Sequence, residues 1–256
     1  MTNYKMKKKI IYFFLFIVSF SYSQTIITDR PDQTESSSTI QKGSVQIESG
    51  FLISQNSTNY NFHSTNERNI YFPSTLFRIG LTKNIELRLF NQYQQMCTQT
   101  NSFNGFNNLE LGLKLQLLQK ENGFTEIAFL SHIVIPTAPS RLSETGENNI
   151  GTINKLCVSH NIGEKVGLGY NMGYNYLNNR QGDFTYSLVL GIELNDKIST
   201  YIEPYGEFSD LDNTESNFNM GITYLLKDNL QLDYSYGLGL NHAFNFMSIG
   251  CSININ

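Results

Sequence analysis

Residues 108–118, "NLELGLKLQLL", constrain the fold of this chain more than any other stretch. Leu109, Leu111, Leu113, Leu115 and Leu117 fall on one parity; Glu110, Lys114 and Gln116 fall on the other. A strand points successive side chains to opposite faces, so this one has an all-leucine face and a charged face. A soluble sandwich would place protein core behind the leucines. An outer-membrane barrel would place lipid there and a wet lumen behind the charges.

The first residues bear on that choice. Lys5, Lys7, Lys8 and Lys9 precede an apolar run from Ile10 to Phe20, which small Ser21 and Ser23 then end. This is the pattern of a secretory signal peptide, residues 1–23, with an apolar run too short to span a bilayer comfortably. A retained anchor is disfavoured because no stop-transfer pattern follows, and a lipid anchor because no cysteine stands at the cut. Removing four lysines and no acids takes the formal net charge from −4 to −8. An acidic chain without a basic stripe excludes nucleic acid as a partner. Cys97, Cys157 and Cys251 are odd in number and far apart, which makes neither a disulfide framework nor a metal site. No later apolar stretch reaches the length of a membrane helix. A chain that meets a membrane must then do so as a closed barrel, with every backbone polar group paired internally.

Twelve segments read as strands: 44–56, 69–82, 85–96, 107–119, 124–136, 150–162, 166–177, 184–195, 198–208, 217–226, 229–240 and 244–255. Most are longer than the roughly five or six residues of globular strands and close to the ~9–11 that cross a bilayer at a tilt. Tight turns ("TKN", "KENG", "GEK", "NDK", "KDN") follow the even-numbered strands. Longer polar loops ("SQNSTNYNFHSTNER", "CTQTNSFNGF", "TAPSRLSETGENN") follow the first, third and fifth. Short turns at one end and longer loops at the other are the habit of outer-membrane barrels. The fold class expected is therefore all-β: a transmembrane, antiparallel, up-and-down β-barrel of about 12 strands, residues 44–256, after a cleaved signal peptide.

The parity opposite the apolar one carries Arg78, Glu86, Arg88, Glu110, Lys114, Glu126, Lys155, Glu193, Glu203, Glu207 and Asp233. These are the candidate lumen-lining residues, and Glu203 and Glu207 with Tyr201 and Tyr205 could form a cation-preferring constriction. Tyr71, Tyr93, Tyr174, Tyr176, Phe184, Tyr186, Phe218, Tyr234 and Tyr236 sit near the loop ends of their strands and would form an interfacial girdle.

The segment 24–43 differs from the rest. "TIITDRPDQTESSS" is charged and turn-prone, and Pro31 disfavours helix and removes a ladder donor. It is either a periplasmic tail or a segment inserted in the lumen, with Asp29, Arg30, Asp32 and Glu35 as plug candidates. On the second reading Arg30 is expected near inward acids such as Glu86 or Glu110. The T-D-R-P-D-x-T-E-S segment, followed by "GSVQIESGF", resembles transporter-like outer-membrane proteins of Bacteroidetes-type bacteria. These are grouped in the family labelled putative MetA-pathway of phenol degradation. The resemblance covers the mature chain in architecture and residues 28–36 and 43–51 as a motif. It implies an outer-membrane barrel with a channel role, and no binding residues can be carried over from it. One departure is the C-terminus, Asn256, where many such barrels end on an aromatic.

Catalytic chemistry is not supported. Ser131 and His132, and Ser159 and His160, are adjacent in strands and point to opposite faces, so neither makes a dyad. "GLGYNMG" misses the dinucleotide spacing and precedes no helix. No cofactor is expected. The leading function is a passive outer-membrane channel for small solutes, with hydrophobic or aromatic compounds implied by the resemblance. The alternatives are a non-conducting structural or adhesive barrel and an outer-membrane lipid hydrolase. Expected partners are outer-membrane lipid, the barrel assembly machinery and a small-molecule solute.

Overall fold

The computed structural model describes residues 25–60, 63–119, 125–143, 149–177, 181–211 and 213–255. The expected signal peptide and terminal Asn256 lie outside them. Among the described residues there is no helix, and thirteen strands follow in chain order. The first six are β1 (Val45–Tyr60), β2 (His63–Gly80), β3 (Ile85–Cys97), β4 (Ser102–Phe106), β5 (Leu109–Leu118) and β6 (Thr125–Ile135). Then come β7 (Gly151–Asn161), β8 (Val166–Tyr176), β9 (Asp183–Asn195), β10 (Ile198–Ser209), β11 (Asn213–Lys227), β12 (Leu230–Gly239) and β13 (Ala243–Ile255). Every pairing is antiparallel, and β13 returns to β1 with Val45 opposite Ile255, closing the sheet. β4 and β5 share one position, pairing with the upper and lower halves of β3, so the barrel is twelve strands around. Closure leaves no unpaired edge, the requirement for strands in lipid.

Two expected loops are partly strand. Residues 57–68 are expected outside any strand, yet β1 and β2 remain paired from Ser57↔Asn66 out to Tyr60↔His63. Within 97–106, β4 runs alongside β3 from Cys97↔Ser102 to Tyr93↔Phe106. Alternation marks a strand only where its two faces meet different media. Beyond the lipid both faces are wet, so these extensions carry Asn, Ser and Thr without a pattern while the backbone ladder continues.

The barrel is polar inside and apolar outside. Its largest fully buried side chains include Arg78, Arg88, Lys114, Gln46, Glu48, Glu86 and Glu203, whereas among the described residues the buried apolar side chains that cluster together are Ala128, Leu130 and Cys157. In β5, Leu111, Leu113 and Leu117 are 38%, 43% and 61% exposed while Gly112, Lys114 and Gln116 are buried. The same holds for Leu188, Ile202, Ile222, Leu232 and Ile249 around the wall. A continuous apolar belt of this extent is unsustainable in water and is what a lipid-facing surface requires. Tyr174, Tyr176 and Tyr236 face outward with it. Tyr71 does not: a bulge between Tyr71 and Ser74 turns its hydroxyl inward to buried Gln94.

Candidate functional site

The segment 25–43 has no secondary structure of its own pairing, and it lies inside the barrel. It enters at the short-turn end, where the Ile26 amide donates to the Asp228 carbonyl between β11 and β12. It leaves at the same end, where the Gly43 amide donates to Gly80 at the foot of β2. Between these points it reaches up the lumen to Gln33 and Thr34 and folds back, the Ser36 amide donating to the Asp29 carboxylate at 2.7 Å.

An irregular segment carries amide N–H groups that must find acceptors once buried. The wall supplies them from side chains. Glu48 accepts the Asp29 amide at 3.0 Å, Glu86 the Ile40 amide at 3.0 Å, and Glu203 both the Gln33 and Thr34 amides at 2.9 and 2.7 Å. Glu203 also accepts from the Thr34 hydroxyl and from Asn219. Asn171 imitates a strand neighbour: its Oδ1 accepts the Glu35 amide while its Nδ2 donates to the Glu35 carbonyl. Glu203 is thus committed to the plug backbone and does not line an open constriction with Glu207.

Three cations stand together on the wall. Arg78 and Arg88 lie directly opposite each other on β2 and β3, and Lys114 on β5 faces Glu86. Opposed like charges destabilise a sheet unless anions separate them. Glu86 takes the Arg78 Nε at 2.8 Å and the Arg88 Nη1 at 3.0 Å, and Glu48 takes the Arg78 Nη1 at 3.0 Å. The plug completes the balance. Asp29 receives Arg88 at 2.6 Å and Lys114 at 3.1 Å, and Glu35 receives Arg88 at 2.7 Å. Burial alone would push the Asp29 carboxyl up, but the charges of Arg78, Lys114 and Arg88 outweigh it and hold it well below the usual carboxylate range. Asp32 is the opposite case: burial, reinforced by the nearby negative charge of Glu203, pushes its carboxyl well above that range.

Arg30 is placed elsewhere than expected. Its guanidinium meets Asp233 of β12 at 2.9 Å and Ser248 of β13 at 2.9 Å, not Glu86 of β3 or Glu110 of β5. It lies flat against Gly50 and Gly250, which face each other across β1 and β13; a Cβ at either would overlap the guanidinium. Glu110 is taken by His132 at 2.8 Å, whose other ring nitrogen accepts from Arg88.

The other lumen candidates divide by height. Glu126 accepts from the Ser38 hydroxyl at 2.7 Å, and Lys155 stands 3.9 Å from Glu35. Glu207 bonds Ser209 above the plug, and Glu193 is exposed at the short-turn rim, outside the cluster. The candidate list lacked Glu48, Gln46, Asn171 and His132. Glu48 and Gln46 alternate with Val45 and Ile47, so parity could have found them; nothing in the sequence marks Asn171 as a backbone partner.

The plug separates two cavities. A lower one of about 390 Å³ opens toward the short turns between the segment and a wall that includes Val189 and Tyr201. An upper vestibule of about 350 Å³ faces the long loops, with Gln33, Asn171 and Ser187 at its floor. Among the described residues, no group of three His, Cys, Asp or Glu side chains is arranged to hold a metal ion.

No curated protein sequence matches the chain. Among solved structures, an outer membrane channel from Pseudomonas putida F1 superposes with a TM-score of 0.68 at 13% identity, over 85% of this chain and 97% of that one. The KdgM porin in complex with disordered oligogalacturonate gives a TM-score of 0.55 at 10% identity, over 82% of this chain and 99% of that one. At such identities the likeness concerns the fold. The sequence profile of the family described as "Putative MetA-pathway of phenol degradation" matches residues 28–244, from the plug segment to the start of the last strand, and the chain belongs to that family.

Proposed function

We propose that this chain is an outer-membrane channel for passive passage of small solutes, closed in its resting state by its own N-terminal segment. The observation that carries the reading is a plug held by side-chain contacts between two cavities, inside a wall complete without it. A segment needed only to stabilise the barrel could have joined the ladder; one bound through carboxylates and hydroxyls can leave while all the strand pairs remain. The fold shared with the Pseudomonas putida channel and the KdgM porin supports the same reading. Residues 1–23 would direct export through the inner membrane, the barrel assembly machinery would insert the strands, and lipid would cover the apolar belt. The reading is non-enzymatic.

Inward acids outnumber inward bases, so selectivity leans toward cations or neutral solutes. Passage of hydrophobic or aromatic compounds is a second reading, favoured by the apolar part of the lower cavity, whose lining includes Ile27, Val189 and Tyr201.

The test is conductance of the purified protein in a planar bilayer, whole and lacking residues 25–37. Twelve strands fall between the eight that side chains fill and the sixteen that leave an open channel. Small or flickering currents from the whole chain and larger steady ones from the deletion are expected. Silence from both, with the barrel still running faster unheated than boiled on a gel, would refute the channel.

A further inference from the structure

Of the plug acids, Asp29 and Glu35 are balanced by basic side chains of the wall, Arg78, Arg88, Lys114 and Lys155. Asp32 is not. Among the described residues no basic side chain pairs with it, and the charges that act on it most strongly are negative, those of Glu203, Asp29 and Glu35. Glu203 stands beside it, accepting the amide of the next residue, Gln33, at 2.9 Å. The donors to Glu203 are backbone amides, the Thr34 hydroxyl and Asn219, all uncharged, so this pair of carboxylates has no counter-charge. Arg30, close by in the chain, is committed to Asp233.

Strand register sets three more oxygens against the pair. Tyr201 lies opposite Gly221 and Gly221 opposite Ser235, across β10, β11 and β12. Because Gly221 has no side chain, the Tyr201 ring crosses it, with its hydroxyl 2.8 Å from where a Cβ would stand. That hydroxyl arrives beside Ser235 and Asn219, and the charges of Asp32 and Glu203 act on it. Asn219, opposite Glu203, donates its Nδ2 to that carboxylate at 3.0 Å. The Tyr201 hydroxyl, Asn219 Oδ1 and Ser235 Oγ are neighbours, yet none of them makes a hydrogen bond of sound geometry. Tyr201 is 6% exposed and the other two are fully buried. Buried oxygens left without partners are costly, and beside two unbalanced carboxylates they call for a cation. The unpartnered oxygens of Gln46 and Asn254 differ, since they border a cavity lined by Arg78, whose charge repels one.

The donor set selects the ion. Oxygen ligands without nitrogen or sulfur suit a hard cation, and two unbalanced carboxylates match a charge of +2. Carboxylate, phenol, amide and hydroxyl oxygens brought together by the plug and three strands suit Ca²⁺, which takes about 6–8 oxygens in irregular geometry, whereas Mg²⁺ demands a small, near-ideal octahedron. With only two acids, the arrangement is distinct from a cluster of three His, Cys, Asp or Glu. Asp32 and Tyr201 border the lower cavity, which gives an ion and its remaining waters a way in from the short-turn end.

We propose that Asp32, Glu203, Tyr201, Asn219 and Ser235 form a calcium site beside the lower cavity, in which one Ca²⁺ clasps the plug to the wall. Binding needs no current, so its failure leaves the channel reading untouched. The probe is CaCl₂, titrated calorimetrically into the EDTA-stripped, detergent-purified mature chain, with MgCl₂ and NaCl for comparison. One saturable Ca²⁺ site with a Kd of about 0.1–1 mM is expected, weakened about tenfold or more by Asp32→Asn and several-fold by Tyr201→Phe and Ser235→Ala. Glu207→Gln, in the upper vestibule, should leave it unchanged. Because the ligands come from both plug and wall, Ca²⁺ must also favour docking. Ser37 is 2% exposed; with Cys97, Cys157 and Cys251 replaced by serine, a Ser37→Cys thiol should react about tenfold or more slowly in about 10 mM CaCl₂. Asp32 bonds no wall side chain, so Asp32→Asn keeps the unheated gel mobility and carries the test where a wall variant does not. Absence of saturable Ca²⁺ binding, binding indifferent to Asp32→Asn, equal or tighter binding of Mg²⁺ or Na⁺, or labelling unmoved by Ca²⁺ would overturn the proposal.

Discussion

Replacing Arg88 with methionine should release the plug without opening the barrel. Arg88 is 1% exposed and holds three carboxylates, two from the plug (Asp29, 2.6 Å; Glu35, 2.7 Å) and one from the wall (Glu86, 3.0 Å). Removing one partner of a buried ion pair costs about 3–5 kcal/mol, because the stranded charge remains desolvated. The Glu35 side chain is 18% exposed, so water can reach it and the lower figure applies. The wall keeps its backbone ladder, including Arg88 opposite Gly112 and Arg78, which the substitution does not touch. The loss therefore falls on the docking equilibrium, where about 3 kcal/mol is roughly a hundredfold. Ser37 is 2% exposed and reports docking. In a background with Cys97, Cys157 and Cys251 replaced by serine, Ser37→Cys should react slowly with a small water-soluble thiol reagent. Arg88→Met should speed that reaction about a hundredfold, or to the rate of an unprotected thiol. A rate within twofold of the parent, in protein that keeps its unheated gel mobility, would refute the idea that this cluster holds the plug.

The same thiol gives two further readings. Gly250→Ala drives a Cβ into the Arg30 guanidinium, and overpacking of this kind costs about 1–3 kcal/mol; labelling should quicken, and combining it with Arg30→Ala should add less than the sum of the two. Asp32 has a raised carboxyl pKa in the docked state, so docking takes up a proton. Its penalty is full above the docked value and fades as pH falls toward the free value of about 4. Mild acidification should therefore slow labelling relative to a free-thiol control, and Asp32→Asn should abolish that slowing; Asp29, with its lowered pKa, resists protonation across the same window.

Much of this architecture is local and therefore legible from the chain. Period-two alternation located nearly every membrane-crossing strand, because each must show lipid one face and the lumen the other, and it put Arg78, Glu86, Arg88, Lys114, Glu203 and Asp233 on the inner parity. The method stopped where that contrast stops, so the wet extension of β1 and β2 and the short β4 read as loop. It located a charged, unusual segment at 24–43 but left open whether it hangs free or fills the lumen.

Partners were not legible, since they depend on closure and on the path of the plug. Arg30 and Asp233 are separated by 203 positions and meet only because β13 returns to β1 and brings the β12 wall beside the segment's entry point. Glu86 and Glu110 stand on the inner parity as Asp233 does, and alternation cannot rank them. Arg78, Arg88 and His132 engage those two acids first, through the register of β2, β3, β5 and β6. A strand's faces follow from its own residues and the two media around it. Which buried charge finds which partner is a property of the closed barrel, because the low dielectric of its interior makes each pairing depend on all the charges enclosed with it.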